Sequence, residues 1–336
     1  MMSKKILIIA EAGVNHNGDI KTAKKLIDMA VKAGADIVKF QTFNTNKIVT
    51  KNLVRAKYQI KLKDNNKQFD MLKKLELSKA NHLRLISYCN KKNIEFLSTA
   101  FDEESFDFLI SLGLKRIKVP SGEITNLPFL RHIAKFNKNV IVSTGMCTMQ
   151  EVRDALKILI KYGTKKNKIT LLHCTSEYPA PIKEINLNAM LTIKKELKTK
   201  VGYSDHSLGI EVSIAAAALG ATIIEKHITM DKNFSGPDHS SSINFEELKL
   251  MVKSIRNIEL ALGDGNKKPS KSEIKNINIV RKFIVANNDI KKGEVFTYNN
   301  LTSKRCGKGI SPFKLDKLIG VKSPYNFKKN SIIKIK

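Results

Sequence analysis

The stretch VGYSDHSLG (201–209) and its successor ATIIEKHIT (221–229) decide the fold of this chain. Each begins as an apolar run of strand length and then turns abruptly polar. A histidine stands in each polar end, His206 in the first and His227 in the second. Buried apolar strands that end in polar residues are typical of a parallel sheet, where the strands bring side chains to one edge. The same unit recurs along the chain.

Eight such apolar runs, each followed by a segment of helical periodicity, fill residues 5–262. The runs are KILIIA (5–10), DIVKF (36–40), IEFLST (94–99), KRIKVP (115–120), NVIVST (139–144), KITLLH (168–173), VGYS (201–204) and ATIIEK (221–226). The helices are predicted near residues 20–31, 69–89, 103–112, 128–136, 150–162, 187–197, 210–219 and 245–262, with a long polar loop after the second run. A doubly wound sheet has the same periodicity. Eight uninterrupted units favour an α/β fold closed as a (β/α)8 TIM barrel, which typically takes about 250 residues.

The composition and the periodicity of the sequence change after the eighth predicted helix. The segment GDGNKKPSKSE (263–273) is rich in Gly, Pro, Ser and Lys, which is typical of a linker. Beyond it, KFIVA, EVFT and SIIKIK predict three short strands separated by turns. The predicted domains are therefore a barrel (1–265), a linker (266–282) and a small C-terminal domain (283–336).

Composition excludes several classes of protein. The chain has 336 residues, a net charge of +29 and 42% hydrophobic residues. Lysines are spread along the whole chain and no base-stacking motif is present, which argues against nucleic acid as a partner. No apolar run approaches the roughly 18 residues of a membrane helix, and the apolar run in MMSKKILIIAEAG is too short for a secretion signal. The four cysteines form no CxxC pair, so we expect a cytoplasmic protein with reduced thiols.

All eight predicted strand ends turn polar together. In a (β/α)8 barrel the active site lies at the C-terminal ends of the strands. A single serine there is usually a helix cap and a single histidine a structural group. Eight polar ends indicate a polar, cationic mouth instead. The candidates from the strand ends are Glu11, Lys39, Gln41, Thr99, Lys118, Ser121, Glu123, Ser143, His173, Tyr178, Ser204, His206 and His227.

These residue types indicate two kinds of chemistry. Lys39 and Lys118 come from within apolar strands, so we expect both ammonium groups in the mouth, where serine hydroxyls join them. Such donors suit a small ligand with phosphate and carboxylate groups. His206 and His227 follow adjacent strands and could share one divalent metal ion. The carboxylates of Glu123, Asp205 and Asp238 could support the metal site or act as general bases.

At this point the sequence resembles the sialic acid synthases, a family of phosphoenolpyruvate-condensing enzymes. The matching motifs are AEAGVNHNG (10–18), KFQTF (39–43), STAF (98–101), KVPSGE (118–123), STGM (143–146), LLHCTSEYP (171–179), VGYSDHS (201–207), EKHIT (225–229) and SGPDHSSS (235–242). The tail NNDIKKGEVFTYNNLTSKRCGKGISP (287–312) resembles the antifreeze-like (SAF) domain of that family.

The resemblance implies a reaction and a set of roles. The enzyme would join phosphoenolpyruvate to the open-chain aldehyde of an N-acetylated mannosamine-type sugar. Mn²⁺, or else Mg²⁺ or Co²⁺, would be held by His206 and His227, and Glu123 would handle the water that adds to C2. Glu11, Gln41 and Asp238 would contact the sugar, and Arg305 of a second subunit would reach it in a domain-swapped homodimer. The residues that would hold phosphoenolpyruvate are Lys39, Thr99, Lys118, Ser121, Ser143, Tyr178 and Ser204.

The sequence departs from the family in a few places. Ser176 and Cys306 stand where Asn and Pro are usual, and loop 44–67 cannot be aligned. The motifs KFQTF and GPDHSSS are similar to the branch that makes N,N'-diacetyllegionaminic acid from 2,4-diacetamido-2,4,6-trideoxymannose. Phe40 and Phe43 would then suit a less hydroxylated, 6-deoxy sugar.

Three alternatives stay open at this point. The first is an N-acetylneuraminate synthase that uses N-acetylmannosamine. The second is a related condensation of phosphoenolpyruvate with a sugar phosphate. The third is a carbohydrate-binding barrel without catalysis.

Overall fold

The computed structural model describes residues 5–56 and 67–335. The chain divides into two compact units, Met1–Asp264 and Gly265–Lys336. Part of the unalignable loop, residues 57–66, lies outside the described residues. No helix in the described ranges is long and apolar enough to cross a membrane.

The first unit is a closed barrel of eight parallel strands in sequential order, with β8 hydrogen-bonded back to β1. The strands are β1 (Leu7–Gly13), β2 (Ile37–Thr42), β3 (Glu95–Ala100), β4 (Arg116–Val119), β5 (Asn139–Ser143), β6 (Ile169–His173), β7 (Lys200–Asp205) and β8 (Ile223–His227). This arrangement confirms the predicted (β/α)8 barrel and excludes the doubly wound sheet.

The outer layer of the barrel is helical. Its helices are α1 (Ile20–Ala33), α2 (Thr45–Ile48), α3 (Gln68–Leu75), α4 (Lys79–Lys91), α5 (Glu103–Ser111), α6 (Leu127–Ala134), α7 (Met149–Lys161), α8 (Asn188–Leu197), α9 (Glu211–Ala218) and α10 (Phe245–Ala261). Local sequence explains their ends. The Asp19 carboxylate accepts the first free N–H groups of α1, and Gly34 ends that helix at φ 82°.

The single helix predicted near residues 69–89 is wrong, because the chain breaks it into α3 and α4. Glu76 is extended (φ −60°, ψ 134°), and the Ser78 hydroxyl accepts from the Asn81 N–H to begin a new helix. The break lets Met71 and Leu75 of α3 leave the main core. They pack instead against Val14 and Phe43 in a separate apolar cluster, described below as the β1–β2 cluster.

The second unit contains helix α11 (Lys271–Val280) and an antiparallel pair, β9 (Lys282–Ala286) and β10 (Leu301–Arg305). KFIVA is confirmed as β9. The strands predicted at EVFT and SIIKIK are wrong: each segment makes one isolated bridge, Val295 with Lys322 and Ile332 with Val285. The second strand of this pair is LTSKR, which was not predicted because most of its residues are polar. Helix α11 lies within the predicted linker, and the predicted domain boundaries themselves stay predictions.

Candidate active site

A cavity of about 490 Å³ opens at the C-terminal ends of the barrel strands. Most of the residues selected from the sequence come together in its wall, although they lie far apart along the chain. Those residues are Glu11, Lys39, Gln41, Thr99, Lys118, Ser121, Ser143, Tyr178, Ser204, His206 and His227. These residues lie close together because the parallel strands end at the same side of the barrel. Each strand end places an inward-facing side chain at a similar height.

Glu225 lines the cavity and lies close to both lysines. Its Oε1 is 3.1 Å from Lys118 Nζ and 3.6 Å from Lys39 Nζ, and it accepts a 3.1 Å hydrogen bond from the Ser204 hydroxyl. Lys39 Nζ also lies 2.6 Å from Glu11 Oε2 and donates to Thr99 Oγ1 at 3.0 Å. All four charged side chains are buried. They therefore form one connected lysine–carboxylate cluster.

Burial and pairing set the charges of this cluster. Burial raises the pKa of Glu11 to about 7, although Lys39 opposes the shift. Burial alone would also raise the pKa of Glu225, but Lys118 and Lys39 outweigh it and lower that pKa to about 2. Burial lowers the pKa of Lys118 against the pull of Glu225. The predicted cationic mouth is thus a balanced cluster, since two carboxylates accompany the two lysines.

Serine hydroxyls line the wall beside Lys118. Ser121 Oγ accepts the Gly145 N–H at 3.0 Å and lies 3.3 Å from Cys174 Sγ. Ser143 Oγ is buried and has no hydrogen-bond partner among residues 5–56 and 67–335. Ser176, the residue that replaces the usual Asn, borders the same cavity. An unpaired buried hydroxyl is costly, so this wall is suited to a ligand that brings anionic oxygen atoms.

His206 has one ring nitrogen committed to the backbone. Its Nδ1 lies 2.6 Å from the Thr175 carbonyl oxygen, which can only accept, so Nδ1 carries the proton. The lone pair of Nε2 then faces the cavity, 3.1 Å from the Tyr178 hydroxyl and 3.5 Å from Ser204 Oγ. This is the tautomer that a metal-binding histidine needs, with the other nitrogen oriented by a carbonyl.

His227 completes a histidine pair with His206, at a ring-centroid distance of 5.7 Å. Its Nδ1 is buried and has no hydrogen-bond partner in the described part of the chain, and Asp238 Oδ2 lies 3.8 Å away. Burial lowers the pKa of His206 to about 4 and that of His227 well below its usual value, so both rings are neutral at pH 7. Two neutral imidazoles fit a divalent transition metal. Across residues 5–56 and 67–335, no group of three or more His, Cys, Asp or Glu side chains is arranged to hold a metal.

Several of the residues selected from the sequence are not among those that line the cavity. Glu123 follows Ser121 in a short 3-10 turn, and its carboxylate accepts from Asn126 Nδ2 at 2.6 Å. Asp238 lies behind His227, where burial raises its pKa to about 6. Arg305 is exposed at the end of β10 in the second unit. The strand-end His173 also turns away, with Nε2 at 2.7 Å from the Ile185 carbonyl.

Phe40 and Phe43, which the sequence linked to a less hydroxylated sugar, are not among the residues that line the cavity. Phe40 is fully buried and stacks on Phe96, with ring centroids 5.6 Å apart. Phe43 lies in the β1–β2 cluster and forms a T-shaped contact with Phe101, with ring centroids 6.0 Å apart. It is Phe101, together with Ala56 and Met146, that gives the cavity its apolar side.

Glu225 is the main residue that the sequence reasoning did not assign to the site. The alternation of side chains along a strand could have identified Glu225. It lies two residues before His227 on β8, so both face the inside of the barrel, while Lys226 between them faces outward. Phe101, Ala56 and Met146 gave no comparable signal, because loops rather than strands place them.

The fold and the cavity define an α/β-barrel enzyme with a site for small polar ligands. Comparison with known proteins gives its family. A model of the NeuB family matches residues 26–267, more than half of the chain, and a model of the SAF domain matches residues 281–336. The chain belongs to the NeuB family, and it carries a C-terminal SAF domain.

Individual relatives are similar over nearly the whole chain. The N,N'-diacetyllegionaminic acid synthase of Campylobacter jejuni is 54% identical over 98% of this chain and 99% of its own length. The protein of the same name from Legionella pneumophila is 48% identical over 95% of this chain and 90% of its own. Among solved structures, the N-acetylneuraminic acid synthetase of Leptospira borgpetersenii, in complex with citrate, superposes with a TM-score of 0.72. It is 35% identical and covers 81% of this chain and 90% of that one.

Proposed function

We propose that this enzyme condenses phosphoenolpyruvate with 2,4-diacetamido-2,4,6-trideoxymannose, giving N,N'-diacetyllegionaminic acid and phosphate. The observation that carries the proposal is that Lys118, Lys39 and the buried Ser143 hydroxyl line the same cavity as the histidine pair. One cavity therefore offers both anion-binding donors and neutral imidazoles. The 54% and 48% identities to synthases of this name favour the diacetamido sugar over N-acetylmannosamine, the alternative substrate.

Different residues of the cavity bind the two substrates. Lys39, Lys118, Thr99 and the serines hold the phosphate and carboxylate groups of phosphoenolpyruvate, with Tyr178 at the edge beside His206. Glu11 and Gln41 lie in the same cavity and contact the sugar, with Asp238 behind His227. Fixing both substrates in one buried site supplies much of the rate enhancement, because it replaces a bimolecular encounter by an oriented one.

The reaction balances without a redox partner. The alkene carbon C3 of phosphoenolpyruvate forms a bond to the aldehyde carbon of the sugar, which leaves cationic character at C2. The π electrons of the aldehyde move to its oxygen, which takes up a proton and becomes a hydroxyl. Water adds to C2 and gives its proton to a base, for which Glu123 beside Ser121 is the proposed group. The phosphohemiketal then breaks its C2–O bond to the phosphate, which leaves with the bridging oxygen, while the C2 hydroxyl loses its proton and becomes the ketone.

A divalent metal ion fits the histidine pair. His206 Nε2 and His227 would hold Mn²⁺, or Mg²⁺ or Co²⁺, and the ion would supply Lewis acidity to the aldehyde oxygen of the sugar. The protein's part is to keep both imidazoles neutral, which burial does. A cytoplasmic location stays a prediction.

An isotope experiment tests the reaction type. Turnover in ¹⁸O-labelled water should give unlabelled phosphate, and phosphate release should need both substrates. Label in the phosphate would mean attack at phosphorus, and release without sugar would mean simple hydrolysis; either result contradicts a condensation at C2. The His206→Ala variant is the control for metal-dependent turnover, which it should abolish.

We also propose a domain-swapped homodimer in which Arg305 of one subunit contacts the sugar bound in the barrel of the other subunit. Exposed apolar side chains support a docking role for both units: Met146 and Leu208 follow barrel strands, and Phe313 is exposed in the second unit. Arg305→Ala should weaken use of the sugar while leaving phosphoenolpyruvate affinity intact. Co-expressed Arg305→Ala and His206→Ala chains should regain part of the activity, because a mixed dimer has one intact site. No recovery would contradict the exchange.

A further inference from the structure

Lys226 links the two segments that present the histidine pair. It stands between Glu225 and His227 on β8, yet its side chain leaves the barrel interior. Its ammonium group lies 2.9 Å from Asp205 Oδ2 and donates to the Ser207 carbonyl at 2.7 Å. The side chains of Lys226 and Asp205 are both 0% exposed. One ammonium group therefore binds both chain neighbours of His206, from the position next to His227.

The Asp205 carboxylate fixes the same turn from the other side. Its Oδ1 accepts from the Ser207 N–H at 2.9 Å and from the Ser207 hydroxyl at 2.6 Å. Its Oδ2 accepts from the Ser213 hydroxyl of α9 at 2.6 Å. Three contacts thus hold residues 205–207 to β8 and to α9, and two more lie within the turn itself. The backbone that presents the His206 ring has little freedom to move relative to His227.

Stability alone does not account for this pair. Two charges removed from water lose their hydration, and a buried ion pair is often no more stabilising than well-packed apolar residues of similar volume. A buried ion pair does, however, require a defined geometry, because either charge left unpaired is strongly unfavourable. A pair of this kind is suited to holding two elements at a fixed distance.

We propose that Asp205 and Lys226 are positioning residues that set the spacing and orientation of His206 and His227 for one metal ion. This inference rests on the metal role of the histidine pair in the proposed function. Neither residue lines the cavity, so neither touches a substrate. Their effect should reach the metal through the two rings, and should leave the phosphoenolpyruvate wall unchanged.

Mn²⁺ binding to the full-length, metal-free enzyme tests the inference by calorimetry. Lys226→Met should weaken Mn²⁺ binding at least tenfold, in the range typical of groups that orient metal ligands. Affinity for phosphoenolpyruvate without metal should change less than twofold. The double variant Asp205→Asn, Lys226→Met removes both charges but keeps a side-chain oxygen as acceptor for Ser207. It should therefore lose less stability than Lys226→Met alone and still bind Mn²⁺ at least tenfold more weakly.

A matched control is the ion pair of Arg256 with Asp36, 2.6 Å long, which joins α10 to the residue before β2 at the opposite end of the barrel. Arg256→Met should lower stability but leave Mn²⁺ affinity unchanged. If Lys226→Met does not fold, the Mn²⁺ affinity of the double variant tests the positioning role instead. Mn²⁺ affinity within twofold of the parent in the double variant would overturn the positioning role. His206→Ala tests the metal site independently of the positioning role. Unchanged Mn²⁺ affinity in that variant would show that the histidine pair does not bind the metal ion, which would contradict the proposed function.

Discussion

Lys118 of β4 and Glu225 of β8 form a buried ion pair, with 3.1 Å between Nζ and Oε1, in the wall of the cavity at the C-terminal ends of the barrel strands. The pair joins two strands that are not neighbours in the barrel. Because Glu225 also lies 3.6 Å from Lys39 and accepts from Ser204, it holds in place the cations proposed to bind phosphoenolpyruvate. An incoming anion therefore meets donors that are already oriented.

Glu225→Gln should destabilise the enzyme and make it more responsive to ligand. The change leaves two buried ammonium groups short of one carboxylate, which typically costs about 3–5 kcal/mol. Phosphoenolpyruvate supplies negative charge to the folded state, so it should raise the unfolding temperature more in the variant than in the parent. Thermal unfolding with and without ligand measures both effects. The exposed pair Lys47–Glu104 is the control, since Lys47→Ala should change little.

Gly145→Ala should impair phosphoenolpyruvate binding without unfolding the barrel. A Cβ at this position would collide with Ser176 Oγ and lie 2.9 Å from Ser121 Oγ. Both serines border the cavity, so their displacement should raise the KM for phosphoenolpyruvate about tenfold or more, with a smaller effect on the KM for the sugar. Gly122→Ala, whose Cβ would meet no atom of the described residues within 4 Å, should raise this KM less. Equal effects of the two variants would contradict this account of the wall.

Phe101 should determine the preference between sugars. It gives the cavity an apolar surface, and Phe43 supports it from the β1–β2 cluster. One methyl-sized contact discriminates by about 10–200-fold, so Phe101→Ala should reduce the preference for the 6-deoxy sugar over N-acetylmannosamine by about tenfold. Phe43→Leu should act in the same direction, more weakly. Phe40→Leu serves as control, because Phe40 stacks on Phe96 outside the cavity. A change in sugar preference in that variant alone would refute the assignment.

His16 should make the enzyme sensitive to acid. Burial lowers its pKa to about 4, with His82 and His239 adding to the shift and Asp19 opposing it. The unfolded chain takes up a proton near pH 6.5, whereas the folded chain does so near pH 4. Stability is therefore fully present above pH 6.5 and is lost as pH falls through this window, by about 3 kcal/mol in total. Denaturant unfolding of His16→Asn should show a shallower slope with pH there; an unchanged slope would mean that other groups cause the loss.

Much of the fold and of the site could be predicted because strand ends in a parallel barrel converge. Polar residues after apolar runs, such as Lys118 and His206, therefore came together in the cavity. What failed depended on packing between distant segments. The break between α3 and α4, and the supporting position of Phe43, follow from the separate β1–β2 cluster, which no local pattern reveals. Polar strand β10 escaped prediction because it belongs to a two-stranded sheet with little buried surface.

The most direct test of the central claim is a competition between sugars. Phosphate release from phosphoenolpyruvate would be measured with Mn²⁺, offering 2,4-diacetamido-2,4,6-trideoxymannose and N-acetylmannosamine in parallel, with the nine-carbon product identified by mass spectrometry. The account predicts a kcat/KM at least tenfold higher for the diacetamido sugar. Equal or better use of N-acetylmannosamine would contradict it and make the enzyme an N-acetylneuraminate synthase.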